Sequence, residues 1–294
     1  MNRPLPIRNG VSPSKQYLPA GSWNFMLEFL QQYFPEVGKS TWIARMHKGE
    51  VVDSKGLCIM PDDPYRAGAQ IYYYREVEGE VPIPFEEIIL FQDEHLLVVD
   101  KPQFLPVTPS GRYLHETLLV RLKRKYQLEH LTPIHRLDRE TAGVILFSHN
   151  PDSRGAYQSL FHKRKIHKVY EAIAAILPEQ MFPLTYRSRM VAGEPFFRMQ
   201  EVHGEANSET HIEILEKRGE VALYRLRPVT GKKHQLRVHM AALGSPIIND
   251  CFYPELLAEK GEDLSRPLQL LARSIAFEDP YNGCDRYFES GRVL

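Results

Sequence analysis

Thirty-seven Lys and Arg balance thirty-seven Asp and Glu in a chain of 294 residues, and 43% of the residues are hydrophobic against 25% charged. That balance supports a real core and excludes a disordered chain and a uniformly basic nucleic-acid coat. No apolar run reaches the roughly 20 residues that a membrane helix needs.

The opening stretch MNRPLPIRNGVSPSK is basic with no apolar run behind it, so it does not read as a secretory signal. Residues 23–34 carry Phe25, Leu27, Leu30 and Phe34 at mixed helical spacing, with Ser22 placed to cap a short amphipathic helix. Ser40 or Thr41 opens a second helix. The β-prone runs VVDSKGLCIM and AQIYYYREV follow, split by the turn chemistry of PDDPYRAG. These elements predict a small N-terminal domain over residues 1–82. Within it, Gly38-Lys39-Ser40-Thr41 ends like a phosphate-binding loop, but Tyr33 stands where that loop needs its first glycine. A helix start, with no nucleotide cofactor, is the better reading.

The Pro- and Glu-rich stretch GEVPIPFEE marks a boundary, and a larger domain is expected over residues 83–294. IILFQDEHLLVVDKP reads as two strands joined by a polar turn, HETLLVRLKRKYQ as a helix, GVILFSH as a buried strand and RGAYQSLFHKR as a helix. HKVYEAIAAIL reads as a strand, SETHIEILEK and EVALYRLRPV as paired strands, HQLRVHMAALG as a helix and PLQLLARSIAFEDP as a final strand. Strands broken by helices at irregular intervals predict an α+β fold with a mixed sheet rather than a strictly alternating parallel one.

Charge is uneven along the chain. Glu76, Glu78, Glu80, Glu86, Glu87, Asp93, Glu94 and Asp100 make one segment acidic, whereas Arg154, Lys163, Arg164, Lys165 and Lys168 occupy a stretch with no acidic residue. A local basic face therefore survives global neutrality. The cysteines Cys58, Cys251 and Cys284 lie far apart without CxxC spacing, against both a disulfide framework and a zinc site. The histidines form no HExxH pattern, so no metal is expected, and a reducing, cytoplasmic setting fits.

The most informative segment is His135-Arg136-Leu137-Asp138-Arg139-Glu140-Thr141-Ala142-Gly143, polar and charged, immediately before the apolar run Val144–Phe147. It resembles the catalytic motif of the RluA-type pseudouridine synthases, whose aspartate is the essential residue. His167-Lys168-Val169-Tyr170-Glu171-Ala172 is similar to the family segment that bears an active-site tyrosine, and Val229 to His239 to its third motif. LLVVDKP and LQLLARSIAFEDP match the opening and closing motifs, so the likeness covers residues 84–283 in the right order. Ala142 replaces a common Ser, Lys232 a common Arg, and IINDCFYP lacks the usual flanking glycines.

The resemblance implies a mixed, mainly antiparallel bent sheet flanked by helices, with an S4-like RNA-binding module, or alternatively a divergent structural appendage, as the small N-terminal domain. It implies isomerisation of uridine in structured RNA, ribosomal or transfer, with no cofactor, by a chain expected to act as a monomer. It assigns Asp138, Tyr170 and Arg237 to catalysis and Arg136 to the space left by a flipped base. An ionised carboxylate can attack C1', add at C6 or take the C2' proton, and all three routes stay open. A cation must hold a buried carboxylate charged, and Arg237 has that motif position. Lys163, Arg164, Lys165, Lys168, Lys232 and Lys233 are expected on phosphates. Two rivals are a silent RNA-binding protein and a hydrolase with Glu140 as second carboxylate.

Overall fold

Apolar residues at helical spacing place Met26, Phe29 and Leu30 on the buried face of α1 (Met26–Tyr33). Its cap is not Ser22 as expected. The carboxylate of Glu28 accepts the N–H groups of Asn24 and Phe25 at 2.9 and 3.3 Å, so the capping acceptor comes from inside the first turn. α2 (Lys39–His47) begins within Gly38-Lys39-Ser40-Thr41, with Gly38 as N-cap. Trp42 is fully buried between the rings of Phe34 and Tyr73, at 5.6 and 5.5 Å. These helices pack with an antiparallel sheet in the order β1 (Ser14–Tyr17), β3 (Gln70–Tyr73), β2 (Val51–Asp53). Strand β1, ahead of both helices, was not expected.

The computed structural model describes residues 4–177, 182–257 and 263–294, and the chain groups into two units. The first holds the residues up to Glu80 with Ser110–His115 and Lys123–Glu129; the second holds Val81–Pro109, Glu116–Leu122 and His130–Leu294.

After Glu80 come β4 (Ile88–Gln92), β5 (Leu96–Lys101), α3 (Leu118–Tyr126), β6 (Thr132–Pro133), β7 (Ala142–Ser148) and α4 (Pro151–His162). Then follow β8 (His167–Ala175), β9 (Leu184–Ala192), β10 (Met199–Val202), β11 (Ser208–Arg218), β12 (Val221–Pro228), α5 (Gln235–Ala242), β13 (Leu270–Glu278) and β14 (Asp285–Glu289). Among the described residues, one eleven-stranded sheet runs β10-β9-β11-β12-β8-β13-β7-β5-β4, with β14 on β13 and β6 on β7. Every pairing is antiparallel except β13 with β7, so the sheet is mixed and mainly antiparallel. Strands β6, β9, β10 and β14 were not expected.

The parallel pairing rests on one glycine. Gly143 has φ +108°, and a Cβ there would lie 2.2 Å from the carbonyl oxygen of Ala272, so β7 and β13 can approach only where a side chain is missing. β5 and β7 are buried along their whole length, as expected for the middle of a covered sheet. On α5, Leu236 and Met240 join the core of Tyr224, Leu226 and Leu270, which leaves Arg237 on a different side of the helix. Among the described residues no helix is long and apolar enough to cross a membrane.

Candidate active site

The loop between β6 and β7 carries Asp138, and two side chains fix it from both ends. His135 accepts the N–H of Leu146 through Nε2 at 3.1 Å and stacks on Phe161 at 4.8 Å. Burial, aided by nearby Lys168, pushes this imidazole down to about 3, which keeps it the neutral acceptor that the contact needs. On the other side Lys101, fully buried at the end of β5, donates to the carbonyls of Pro102, Leu105 and Arg139 at 2.9 Å each. Three acceptors match the three N–H bonds of an ammonium. Desolvation nevertheless pushes the amine down to about 7, partly countered by the charge of Asp138.

Asp138 keeps 20% of its side chain exposed, enough for a reactant to reach it. Its Oδ2 accepts from Nη1 of Arg237 at 3.2 Å, and Nε2 of His234 lies 3.7 Å from Oδ1. Burial pushes the carboxyl up, but His234, Arg237 and Arg136 together more than offset this and hold it below the ordinary carboxylate range. Asp138 is therefore ionised at neutral pH. Arg237 is itself buried, and its Nε and Nη2 meet the two oxygens of Asp250 at 2.7 Å each. Burial works against its charge, but Asp250 and Asp138 raise it further than burial lowers it.

Tyr170 of β8 sits at the middle of the sheet, opposite Leu226 and Ala272. Burial, and secondarily the charge of Asp138, push its phenol up, so it stays protonated. The turn after β12 closes the wall: the hydroxyl of Thr230 donates to Oε1 of Gln235, which also accepts the N–H of Lys232. Nζ of Lys168 reaches the carbonyl of Thr230 at 3.4 Å.

A cleft of about 310 Å³ is lined by Arg136, Asp138, Lys168, Tyr170, Lys232, Lys233 and Arg237, so seven of the expected residues meet there. Arg136, Lys232 and Lys233 are exposed at its wall. Lys163, Arg164 and Lys165 do not line it; they are exposed where α4 ends, near Phe161, which does. Sequence reasoning missed Asp250, His234, Tyr253 and Lys101 as parts of this site. Lys101 and Asp250 stood inside quoted motifs, but nothing in their spacing said what they bind.

Residues 95–242 match the family described as RNA pseudouridylate synthase. Dual-specificity RNA pseudouridine synthase RluA of Vibrio vulnificus is 34% identical over 67% of this chain and 79% of its own length. Human pseudouridylate synthase RPUSD2 is also 34% identical, over 59% of this chain, which spans 32% of that longer protein. The solved structure of human RNA pseudouridylate synthase domain containing 4 aligns with a TM-score of 0.54 at 29% identity, covering 68% of this chain and 87% of that one.

Proposed function

The chain belongs to the RNA pseudouridylate synthase family, and we propose that this RNA pseudouridine synthase acts on chosen uridines of ribosomal or transfer RNA through Asp138. The observation that carries the reading is the contact of Asp138 with Arg237 at 3.2 Å in a cleft that also holds Tyr170. A carboxylate that is charged, reachable and backed by a buried guanidinium suits attack on carbon or removal of a proton.

The reaction breaks the N1–C1' bond, turns the uracil while it is held, and joins C5 to C1'; the proton leaves C5 and N1 gains one. No electron changes hands, so the chemistry requires no redox partner. Tyr170 stacks on the uracil, and its protonated phenol relays the C5 proton by passing on its own as it receives one. The target base must leave the RNA stack to enter the cleft, and exposed Arg136 fills the space it vacates. Lys168, Lys232 and Lys233 meet phosphates beside the base, while Lys163, Arg164 and Lys165 extend the grip beyond the cleft. The first unit, with two helices and a small sheet, serves as an S4-like RNA contact.

The test is Asp138→Asn in the full chain. RNA affinity is retained and pseudouridine formation falls below detection; a variant that modified RNA normally would remove Asp138 from its role. Carbodiimide-stop sequencing of RNA from cells with and without the gene identifies the position, and released uracil would point to a hydrolase instead.

A further inference from the structure

Tyr253 sits on the turn that Asp250 organises: the N–H groups of Phe252 and Tyr253 both donate to Oδ1 of Asp250, at 2.8 and 3.2 Å. Its side chain is buried, and two groups meet its oxygen. The backbone N–H of Met199, where β10 begins, donates to Oη at 2.8 Å, and Nδ1 of His234 lies 2.8 Å from the same atom. His234 holds an unusual backbone for a non-glycine residue, φ 55° and ψ 17°, at the N-cap of α5. That geometry turns the ring so that Nδ1 meets Tyr253 and Nε2 lies 3.7 Å from Oδ1 of Asp138.

We infer that Tyr253 is a positioning residue: its hydroxyl fixes the tautomer of His234, so that a hydrogen on Nε2 faces Asp138. Met199 uses one lone pair of the phenolic oxygen, and the hydroxyl hydrogen needs an acceptor. Among the described residues, Nδ1 of His234 is the partner within reach. With Nδ1 accepting, all three groups are satisfied. The reverse arrangement, Nδ1–H donating, would strand the phenolic hydrogen in a buried place. Desolvation pushes the His234 imidazole down to about 4, so the ring is neutral at physiological pH and carries one hydrogen, on Nε2. Asp138 then faces an N–H on each side: Nη1 of Arg237 donates to Oδ2 at 3.2 Å, and Nε2 of His234, at 3.7 Å from Oδ1, is an electrostatic contact beyond hydrogen-bond length. The backbone of β10 thus reaches the reacting carboxylate through two side chains.

The inference rests on Asp138 as the acting group, but its first test needs no RNA. In full-length protein with ¹⁵N-labelled histidine, long-range proton–nitrogen correlations report which ring nitrogen carries hydrogen, with His234→Gln assigning the signal. The wild type shows hydrogen on Nε2, and Tyr253→Phe shifts His234 toward a mixture of tautomers. Hydrogen on Nδ1 in the wild type, or an unchanged tautomer in Tyr253→Phe, overturns the proposal. The wild-type measurement decides the matter alone if the variant does not fold.

The second readout is kcat at pH 7, where His234 is neutral. Asp138 is faced by His234 and Arg237, by Arg136 of its own loop, by Lys101 at the end of β5 and by Tyr170 of β8. Tyr253→Phe leaves all of these in place, so a fall in kcat of about threefold at pH 7, with KM unchanged, isolates the misdirected Nε2 hydrogen. An unchanged kcat overturns the link from His234 to Asp138. If the wild type forms no pseudouridine while the tautomer is as stated, the functional reading fails and the positioning role stands.

Discussion

Arg237 is held more closely by Asp250 than by Asp138: two contacts of 2.7 Å against one of 3.2 Å. The guanidinium is anchored on one carboxylate and lends its remaining edge to the other. This division explains how Asp138 stays charged without being neutralised outright.

Asp250→Asn removes the anchor while leaving Asp138 and Arg237 in place. Arg237 then closes on Asp138, and the turn that carries Tyr253 loosens. We expect kcat to fall about 100-fold with KM little changed, because small misplacements near reacting atoms have effects of that order. The fold loses about 3 kcal/mol in urea titration, since one partner of a buried pair is left behind. Unaltered turnover in single-turnover kinetics would show that the anchor has no part in the reaction.

Lys232 and Lys233 line the cleft, whereas Lys163, Arg164 and Lys165 stand outside it. Replacing both cleft lysines by alanine should weaken RNA binding and flatten the dependence of log K on log salt. If each contacts one phosphate, the slope falls by about 1.4 to 1.8 in total. Filter binding at several salt concentrations measures it, and an unchanged slope would take these two lysines off the phosphates.

His239 is fully buried, with Nδ1 at 3.0 Å from the Thr210 hydroxyl and Nε2 near those of Ser208 and Ser188. Burial pushes it down to about 4, while in the unfolded chain an imidazole titrates near 6.5. The unfolded state therefore binds more protons between those values. Stability is full above about pH 6.5 and is lost as the pH falls toward 4. From pH 7 to 5 this one group removes about 2 kcal/mol, and His234 and His135 act in the same direction. Urea titrations at the two pH values should show a smaller difference for His239→Gln than for the wild type. An equal difference would exonerate His239.

The parts of the site that were legible in the sequence are those that resemble a known family motif. HRLDRETAG by itself reads equally as a solvated turn whose charges pair with one another; its resemblance, and those of the segments bearing Tyr170 and Arg237, singled out the three, and the structure brings all of them to one cleft. Asp250 was not legible because it meets Arg237 across thirteen residues and a turn, which no helical or strand period connects. The role of His239 was not legible either, since its hydroxyl partners come from β9 and β11, far away in sequence. Strand β9 escaped for a related reason: its more sheltered positions include Ser188 beside Leu184, Tyr186 and Met190, so the alternation of apolar and polar side chains is blurred. Ser22 was a sound cap by type, but Glu28 supplied the acceptor from further along.

The meeting of β7 with β13 has a bearing on when this molecule becomes competent. Ala142 and Gly143 directly follow the loop of Asp138, and their neighbours Leu271 and Ala272 lie well over a hundred residues later. A ribosome must therefore release residues 270–278 before the sheet beneath the cleft can close, and so long a loop is slow to close. Until then the nascent chain holds the loop of Asp138 without the strand that supports it.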